Sequence, residues 1–442
     1  MSPPQYTVAV RELCEFAAKE GDLDLRFTPS PTAEEGRAGH RAVASRRGPT
    51  YKAELALAGS FRELVVRGRA DGYDAERSLL EEVKTHRGDL ALVPDNHRAL
   101  HWAQAKIYGH LVCRQFGLSG LTLSLVYFEI GSERETPLVR QCTADELRQT
   151  FESLCGKFLD WARRQLEHRA SRDASLQALR FPHGEFRAGQ RALAASVFRA
   201  ATLGRCLLAQ APTGIGKTIA TIFPLLKAAP TQRLDKIFFL SAKGPGSALA
   251  LDAVGLLRRS SPGMSVRVVE LVARDKACAH PGKACHGQSC PLAKGFYDKL
   301  ERARSAASAV QALTRDTLRE VALEHEVCPY YLGQEMVRWA DVVVGDYNYF
   351  FDSSALLHAM TRANDWRVAV LVDEAHNLVE RARAMYSAEL KPDAIAAAPT
   401  PAPLRSRPLA GPSASRSLRI RCSMSAGPTA PCASGTSCRP RS

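Results

Sequence analysis

The chain has 442 residues, 45% of them hydrophobic and 24% charged, the composition of a soluble globular protein with room for two or three domains. No apolar run reaches the roughly 18 residues that span a bilayer, and the start, "MSPPQYTVAVRELCEF", lacks a basic stretch leading into an apolar core; no secretory signal is expected and the cytoplasm is the default location. A net charge of +14 and a pI near 9.4 point to a polyanionic partner, nucleic acid first, and twelve cysteines in a reducing compartment argue for metal or redox chemistry rather than disulfides.

Residues 1–168 read as one unit that closes with the helix-like run "ADELRQTFESLCGKFLDWARRQLEH". Within it, "LVVRGRADGY" and "LLEEVKT" are two strands of a hairpin with acidic residues at their ends. Asp71 on one strand and Glu82 on the other are placed to hold a divalent metal. Lys84 is placed to stabilise phosphate charge or orient an attacking water. "EEGRAGHR" brings Gly36 and His40 upstream, and "HWAQAKIYGHLV" puts Gln104 and Tyr108 four apart on one face of a helix. Alone, each has a bland reading: a solvated histidine, a core tyrosine. In this order they resemble the RecB-like branch of the PD-(D/E)XK nucleases over about residues 30–115. The resemblance implies that His40, Asp71 and Glu82 hold Mg²⁺ or Mn²⁺, that Lys84 is catalytic, and that Gln104 and Tyr108 support the substrate or Lys84. Such domains also persist as DNA-binding modules without cleavage.

The polar stretch "RASRDASLQ" reads as a linker, assigned to 169–180. A second α/β unit starts near Phe181. Its short apolar strands each lead into a loop: "CLLAQ" (206–210), "KIFFLS" (236–241), "ADVVVGD" (340–346) and "VAVLVD" (368–373). Helical stretches such as "GQRALAASVFRAAT" and "TIATIFPLLKAA" lie between them, which predicts a parallel sheet. The pattern runs over 181–270, breaks at a cysteine-bearing insertion, 271–335, and resumes over 336–390.

"AQAPTGIGKTIAT" (209–221) is a phosphate loop opening a helix, with Ala211 where the general motif has its first glycine. Thr213, Gly214 and Gly216 shape a turn whose N–H groups face phosphate oxygens. Lys217 supplies charge to the β- and γ-phosphates of ATP, and Thr218 offers its hydroxyl to Mg²⁺. Downstream, in "LVDEAHNL", Asp373 is the Mg²⁺ ligand, Glu374 polarises the attacking water, and His376 couples nucleotide state to nucleic-acid contacts.

Cys278, Cys285, Cys290 and Cys328 are separated by six, four and 37 residues. Zinc sites pair cysteines two to four apart, twice over. Four thiolates on inserted loops fit a [4Fe–4S] cluster better, with zinc or unliganded thiols as the alternatives. Cys14, Cys113, Cys142, Cys155 and Cys206 lie among apolar neighbours and read as small core residues. The order of phosphate loop, "FFLSAKG", four cysteines, "ADVVVGDYNYFFD" and "VDEAHNL" resembles the XPD/DinG family of iron–sulfur superfamily 2 DNA helicases over about 181–390. The resemblance implies a RecA-like domain 1, a [4Fe–4S] cluster on the four cysteines, ATP and Mg²⁺, single-stranded or forked DNA as partner, and Gln190 as reader of the nucleotide base.

Beyond Tyr386 there is no aromatic residue, and nine of the 25 prolines fall in 391–442 with eight Lys/Arg against one Asp. Such a segment cannot offset the entropy of ordering itself and is expected to be disordered. It is read either as an out-of-frame product or as a basic DNA-binding tail. No second RecA-like domain is recognised after Leu390, so slow or absent ATP turnover and no unwinding are expected. Taken together, these residues point to a nuclease–helicase fusion acting in DNA repair; the alternative is a non-catalytic DNA-binding protein with a degenerate nuclease domain.

Overall fold

The computed structural model describes residues 5–24, 26, 31–242, 244–352 and 355–387; the expectations for 391–442 lie outside the described residues. The first sheet begins with β1 (Tyr6–Ala9) and is followed by α1 (Val10–Ala17) and α2 (Ala33–Ser45). Thr32 and Glu35 start α2 with a reciprocal capping box: the Thr32 hydroxyl accepts from Glu35 N–H, and the Glu35 carboxylate accepts from Thr32 N–H. Strands β2 (Tyr51–Phe61), β3 (Leu64–Asp74) and β4 (Leu79–His86) follow, then α3 (Asp95–Phe116), β5 (Gly120–Glu129), β6 (Glu135–Thr143) and α4 (Ala144–Ala178). The strand order is β1-β3-β4-β5-β6, with β2 on β3's other edge. β3 and β4 are the expected antiparallel hairpin, and α3 is the crossover that returns β5 parallel to β4.

The expected linker is instead helix. α4 runs unbroken for 35 residues, so 169–177 form its last turns. Its polar residues face carboxylates at the feet of distant strands. His168 Nε2 lies 2.8 Å from Asp341 Oδ2, Arg172 donates to Asp341 Oδ1 at 3.1 Å, and Arg169 donates to Asp235 Oδ1 at 2.7 Å. Leu176, at the end of α4, is buried in the core of the second unit. Sequence polarity alone cannot distinguish a solvated linker from a helix whose charges are paired at long range.

The second unit continues with α5 (Gln190–Leu203), α6 (Lys217–Gln232), β7 (Lys236–Ser241), α7 (Gly244–Ser260) and β8 (Val268–Glu270). The insertion adds α8 (Arg274–Ala277), α9 (Phe296–Ser308), β9 (Ala312–Leu313), α10 (Arg315–Glu324) and α11 (Pro329–Met336). Then come β10 (Val342–Asp346), α12 (Asn348–Phe351), α13 (Leu356–Asn364), β11 (Val368–Val372) and α14 (Leu378–Met385). The sheet is parallel throughout, in the order β11-β7-β10-β8-β9. Every residue of β7 is buried: Ile237 and Phe239 pack into one apolar cluster with α6 and α7, while Phe238 and Leu240 pack into another on the opposite face. That two-sided burial explains the continuous apolar run in the sequence.

One expected strand does not form. Residues 205–212 belong to no sheet, and Leu208 is 90% exposed. A strand needs a hydrogen-bonding neighbour, and this run has none among the described residues. Cys206, expected in the core, is exposed for the same reason, and Cys142 is only half-buried, whereas Cys14, Cys113 and Cys155 are buried as expected.

The N-terminal unit also docks on the insertion. Leu23 N–H donates to Ala293 O at 2.9 Å, Tyr297 N–H to Gly21 O at 3.0 Å and Gly295 N–H to Asp22 Oδ1 at 2.7 Å. Arg338 is paired with Glu12 and Glu15 of α1 and with Glu335.

Burial alone would raise the Asp341 carboxyl, but the His168 hydrogen bond, the charges of His168 and Arg172 and the Arg267 N–H bring it down to about 2 from an ordinary 3.8. A depressed carboxylate stabilises the fold fully above its unfolded value and loses that contribution as pH falls through the folded one, here about 2 kcal/mol. Asp341→Asn should cost about 3 kcal/mol at neutral pH because it leaves the buried Arg172 guanidinium underpaired. In urea denaturation the gap between the two proteins should narrow as pH falls from about 4 to about 2. A gap that stays constant would show that the charge on Asp341 does not matter.

Candidate functional site

The carboxyl ends of β7, β10 and β11 converge with the phosphate loop. Asp373 directly follows β11, and its N–H donates to Leu240 O of β7 at 2.9 Å. Glu374 adopts the left-handed backbone region, φ 50°, which turns the chain abruptly out of the strand. Lys217, the first residue of α6, reaches Glu374 Oε1 at 3.1 Å across 157 residues of sequence. His376 Nδ1 stands 3.4 Å from Glu374 Oε2 and is otherwise exposed. Burial, then the charge of Glu374, raises the Asp373 carboxyl, while Lys217 opposes the shift. Gly246 passes so close that a Cβ there would meet Ser241 at 2.6 Å and the Asp373 carboxylate at 3.3 Å.

The loop itself is held from behind. Gly214 and Gly216 have φ of 85° and 80°, which only glycine adopts without strain. Gln190 is buried beneath them: its Oε1 accepts from Arg187 N–H at 3.0 Å, and its Nε2 donates to Gly216 O at 3.4 Å. Arg187 donates to Gly214 O at 2.6 Å. Gln190 therefore supports the loop. Thr213 is exposed and Thr218 half-buried at the loop's two ends.

The Asp346-Tyr347 pair carried no assigned chemistry in the sequence. The fully buried Tyr347 donates its hydroxyl to the backbone carbonyls of Asp373 and Glu374, and Asp346 pairs with Arg381 of α14. These residues hold the acidic turn in place. The signal for them was the aromatic run after β10, but its role depends on a contact that sequence spacing does not encode.

Cys278 and Cys285 lie near Cys328, which caps the start of α11. Burial raises the Cys328 thiol to about 11, the N–H groups of Tyr331 and Tyr330 pull it down, and the neighbouring Cys278 and Cys285 push it up. Cys290 is buried, and Cys278 and Cys285 are half-buried. No three of these sulfurs lie within 4.8 Å of one another. A tetrahedral zinc site, with Zn–S near 2.3 Å, needs them about 4 Å apart. Four cysteine thiols are a donor set that an iron–sulfur cluster takes.

In the N-terminal unit, α2 lies on β4 because Gly39 has no side chain: a Cβ there would stand 2.5 Å from Thr85. This sets His40 Nδ1 at 2.9 Å from Asp71 Oδ1. The Asp71 hydrogen bond, against burial, raises the His40 imidazole. Val83 N–H donates to the other Asp71 oxygen at 2.7 Å, where the β3–β4 pairing has opened. Lys84 Nζ is shared between Glu82 Oε1 at 2.7 Å and Gln104 Oε1 at 2.6 Å. Burial pushes the Glu82 carboxyl up to about 7; Lys84 opposes this and Asp71 adds to it. Tyr108 sits one turn further along α3, its ring against Gly68 of β3. Five of the six sequence-assigned residues thus form one connected network, with Tyr108 behind it.

The class defined by the second unit is a parallel α/β domain with a phosphate loop and an acidic turn at the carboxyl ends of its strands. Residues 252–395 match the DEAD_2 family. The chain is similar to a regulator of telomere elongation helicase 1 homolog of Anopheles gambiae, 26% identical over 43% of this chain and 24% of that protein. It is also similar to a Fanconi anemia group J protein homolog of Gallus gallus, 29% identical over 26% of this chain and 9% of that one. The helicase subunit XPD of general transcription and DNA repair factor IIH in Dictyostelium discoideum is 25% identical over 25% of this chain and 14% of its own length. The chain thus spans about a quarter or less of these curated relatives. Together the family match and the relatives support an XPD-like superfamily 2 helicase module in this chain.

Gln190→Ala should free the phosphate loop by removing one or two buried hydrogen bonds, about 1–2 kcal/mol, so amide hydrogen exchange across 211–217 should quicken roughly 5- to 30-fold. Exchange unchanged from wild type would mean that the loop holds its shape without Gln190.

Proposed function

We propose that the second unit is the nucleotide-binding domain of an XPD/DinG-type iron–sulfur DNA helicase and that the N-terminal unit is a metal-dependent nuclease domain. The observation that carries the first part is the convergence of Lys217, Asp373 and Glu374, from two distant motifs, at the carboxyl ends of parallel strands. Lys217 Nζ lies 3.1 Å from Glu374 Oε1. Phosphate oxygens of ATP would compete with Glu374 for Lys217, leaving the Glu374 carboxylate to orient the attacking water. Thr218 and Asp373 would hold Mg²⁺, which supplies charge neutralisation on the β- and γ-phosphates. Asp373, half-desolvated beside Glu374, is a carboxylate for which a cation is favourable.

Cys278, Cys285, Cys290 and Cys328 would hold a [4Fe–4S] cluster, whose role here is to fix the insertion's fold. DNA, single-stranded or forked, is the partner this reading requires. In the N-terminal unit, His40 and Asp71 would hold Mg²⁺ or Mn²⁺, which supplies Lewis-acid activation of a phosphodiester. Lys84, oriented by Gln104 and Glu82, stands next to that position and can neutralise charge on a phosphate oxygen.

Glu374→Gln should keep ATP binding but slow, by at least about 100-fold, the low ATP turnover expected of this chain with single-stranded DNA, read as single-turnover hydrolysis. Hydrolysis at the wild-type rate by that variant would remove Glu374 from the reaction. Anaerobically purified protein should be brown, with absorbance near 400 nm that is lost in Cys285→Ser. A colourless wild-type protein with bound zinc would contradict the cluster assignment.

A further inference from the structure

The hairpin carries a third acidic side chain at the metal position that the sequence motif does not contain. In the β2–β3 ladder Ala53 pairs with Gly72 and Leu55 with Ala70, and the register skips Glu54 and Asp71. Glu54 takes the left-handed backbone region at that point, φ 53°. The result is that one ligand atom each from His40 of α2, Glu54 of β2 and Asp71 of β3 lie within 4.8 Å of one another. Among the described residues this is the only group of three or more His, Cys, Asp or Glu side chains so placed.

Glu82, the second acid of the sequence motif, is placed differently. It is buried, and its carboxylate is taken by Lys84. Glu54 is exposed and makes no hydrogen bond or ion pair among the described residues. Two carboxylates brought to one position beside a single imidazole repel, and a divalent cation offsets that repulsion directly. One nitrogen and two hard oxygens, with an open solvent side, suit Mn²⁺ or Mg²⁺ with water completing the shell.

We infer that Glu54 is a direct ligand of the N-terminal unit's divalent metal, completing a His40–Glu54–Asp71 set that leaves Glu82 to orient Lys84. The inference rests on the metal-dependent reading of this unit given above. It also explains why a bulky, charged residue occupies a left-handed position in the middle of a strand: that backbone turn brings its carboxylate in line with Asp71 across the ladder.

The test is Mn²⁺ binding to the full chain, measured by the loss of free-ion paramagnetic resonance signal, with no nucleic acid present. Wild type should bind, and Asp71→Asn should lose binding. Glu54→Gln should weaken it at least about tenfold, with Glu54→Asp intermediate and Glu82→Gln closer to wild type. Melting curves with and without Mn²⁺ provide a second readout: the ion should raise the midpoint of wild type and not of Glu54→Gln. Wild-type affinity in Glu54→Gln with binding lost in Asp71→Asn would overturn the role of Glu54 while leaving the metal site standing. No Mn²⁺ bound by wild type would overturn both.

Discussion

Asp341 sits at the foot of β10 and is buried against two side chains of α4. A carboxylate in that position is tolerable only if its charge is answered on the spot, and His168 and Arg172 answer it from a helix that begins in the other unit. Arg172 also donates to the carbonyl of Leu234, and Arg169 pairs with Asp235, just before β7. The same helix therefore grips the feet of two neighbouring strands. With α4 fixed there, α1 and its glutamates meet Arg338, and the Gly21–Leu23 segment meets the insertion. The N-terminal sheet, the cysteine insertion and the parallel sheet share one continuous apolar cluster.

The phosphate loop and the acidic turn lie at the opposite ends of the same strands. With the strand feet clamped by α4, the carboxyl ends of β7, β10 and β11 carry Ser241, Asp346 and, just past β11, Asp373, and the neighbouring Glu374 meets Lys217 of the phosphate loop. Tyr347 and Gln190 then do equivalent jobs on the two halves of the site: one is hydrogen-bonded to the backbone of the acidic turn, the other to the backbone of the loop. Neither needs to touch a nucleotide to matter, because each limits how far Lys217 and Glu374 can move apart.

Local pattern made much of this legible. The apolar run of β7 and the hairpin of β3 and β4 have periods that sequence displays directly, and Lys217, Asp373, Asp71 and Lys84 sit where their motifs place them. What escaped depended on partners remote in sequence. The polar end of α4 looks like a linker until Asp341 and Asp235 are seen beside it. The run at 206–210 looks like a strand but has no neighbour to pair with among the described residues. Glu54 is one charged residue among many until the β2–β3 register puts it level with Asp71. The motif marks Gln190 as a contact for the base, and the fold adds a hydrogen bond from its Nε2 to Gly216 O that only the loop's return beside α5 provides.

If the phosphate loop and the acidic turn form one nucleotide site, ATP binding needs both Lys217 and Mg²⁺. Calorimetric titration of ATP with Mg²⁺ into the full chain and into Lys217→Ala measures that most directly. Wild type should bind saturably and only with Mg²⁺, and the variant should lose at least about tenfold in affinity, 1.4 kcal/mol or more. Equal affinity in the two proteins, or binding indifferent to Mg²⁺, would contradict it.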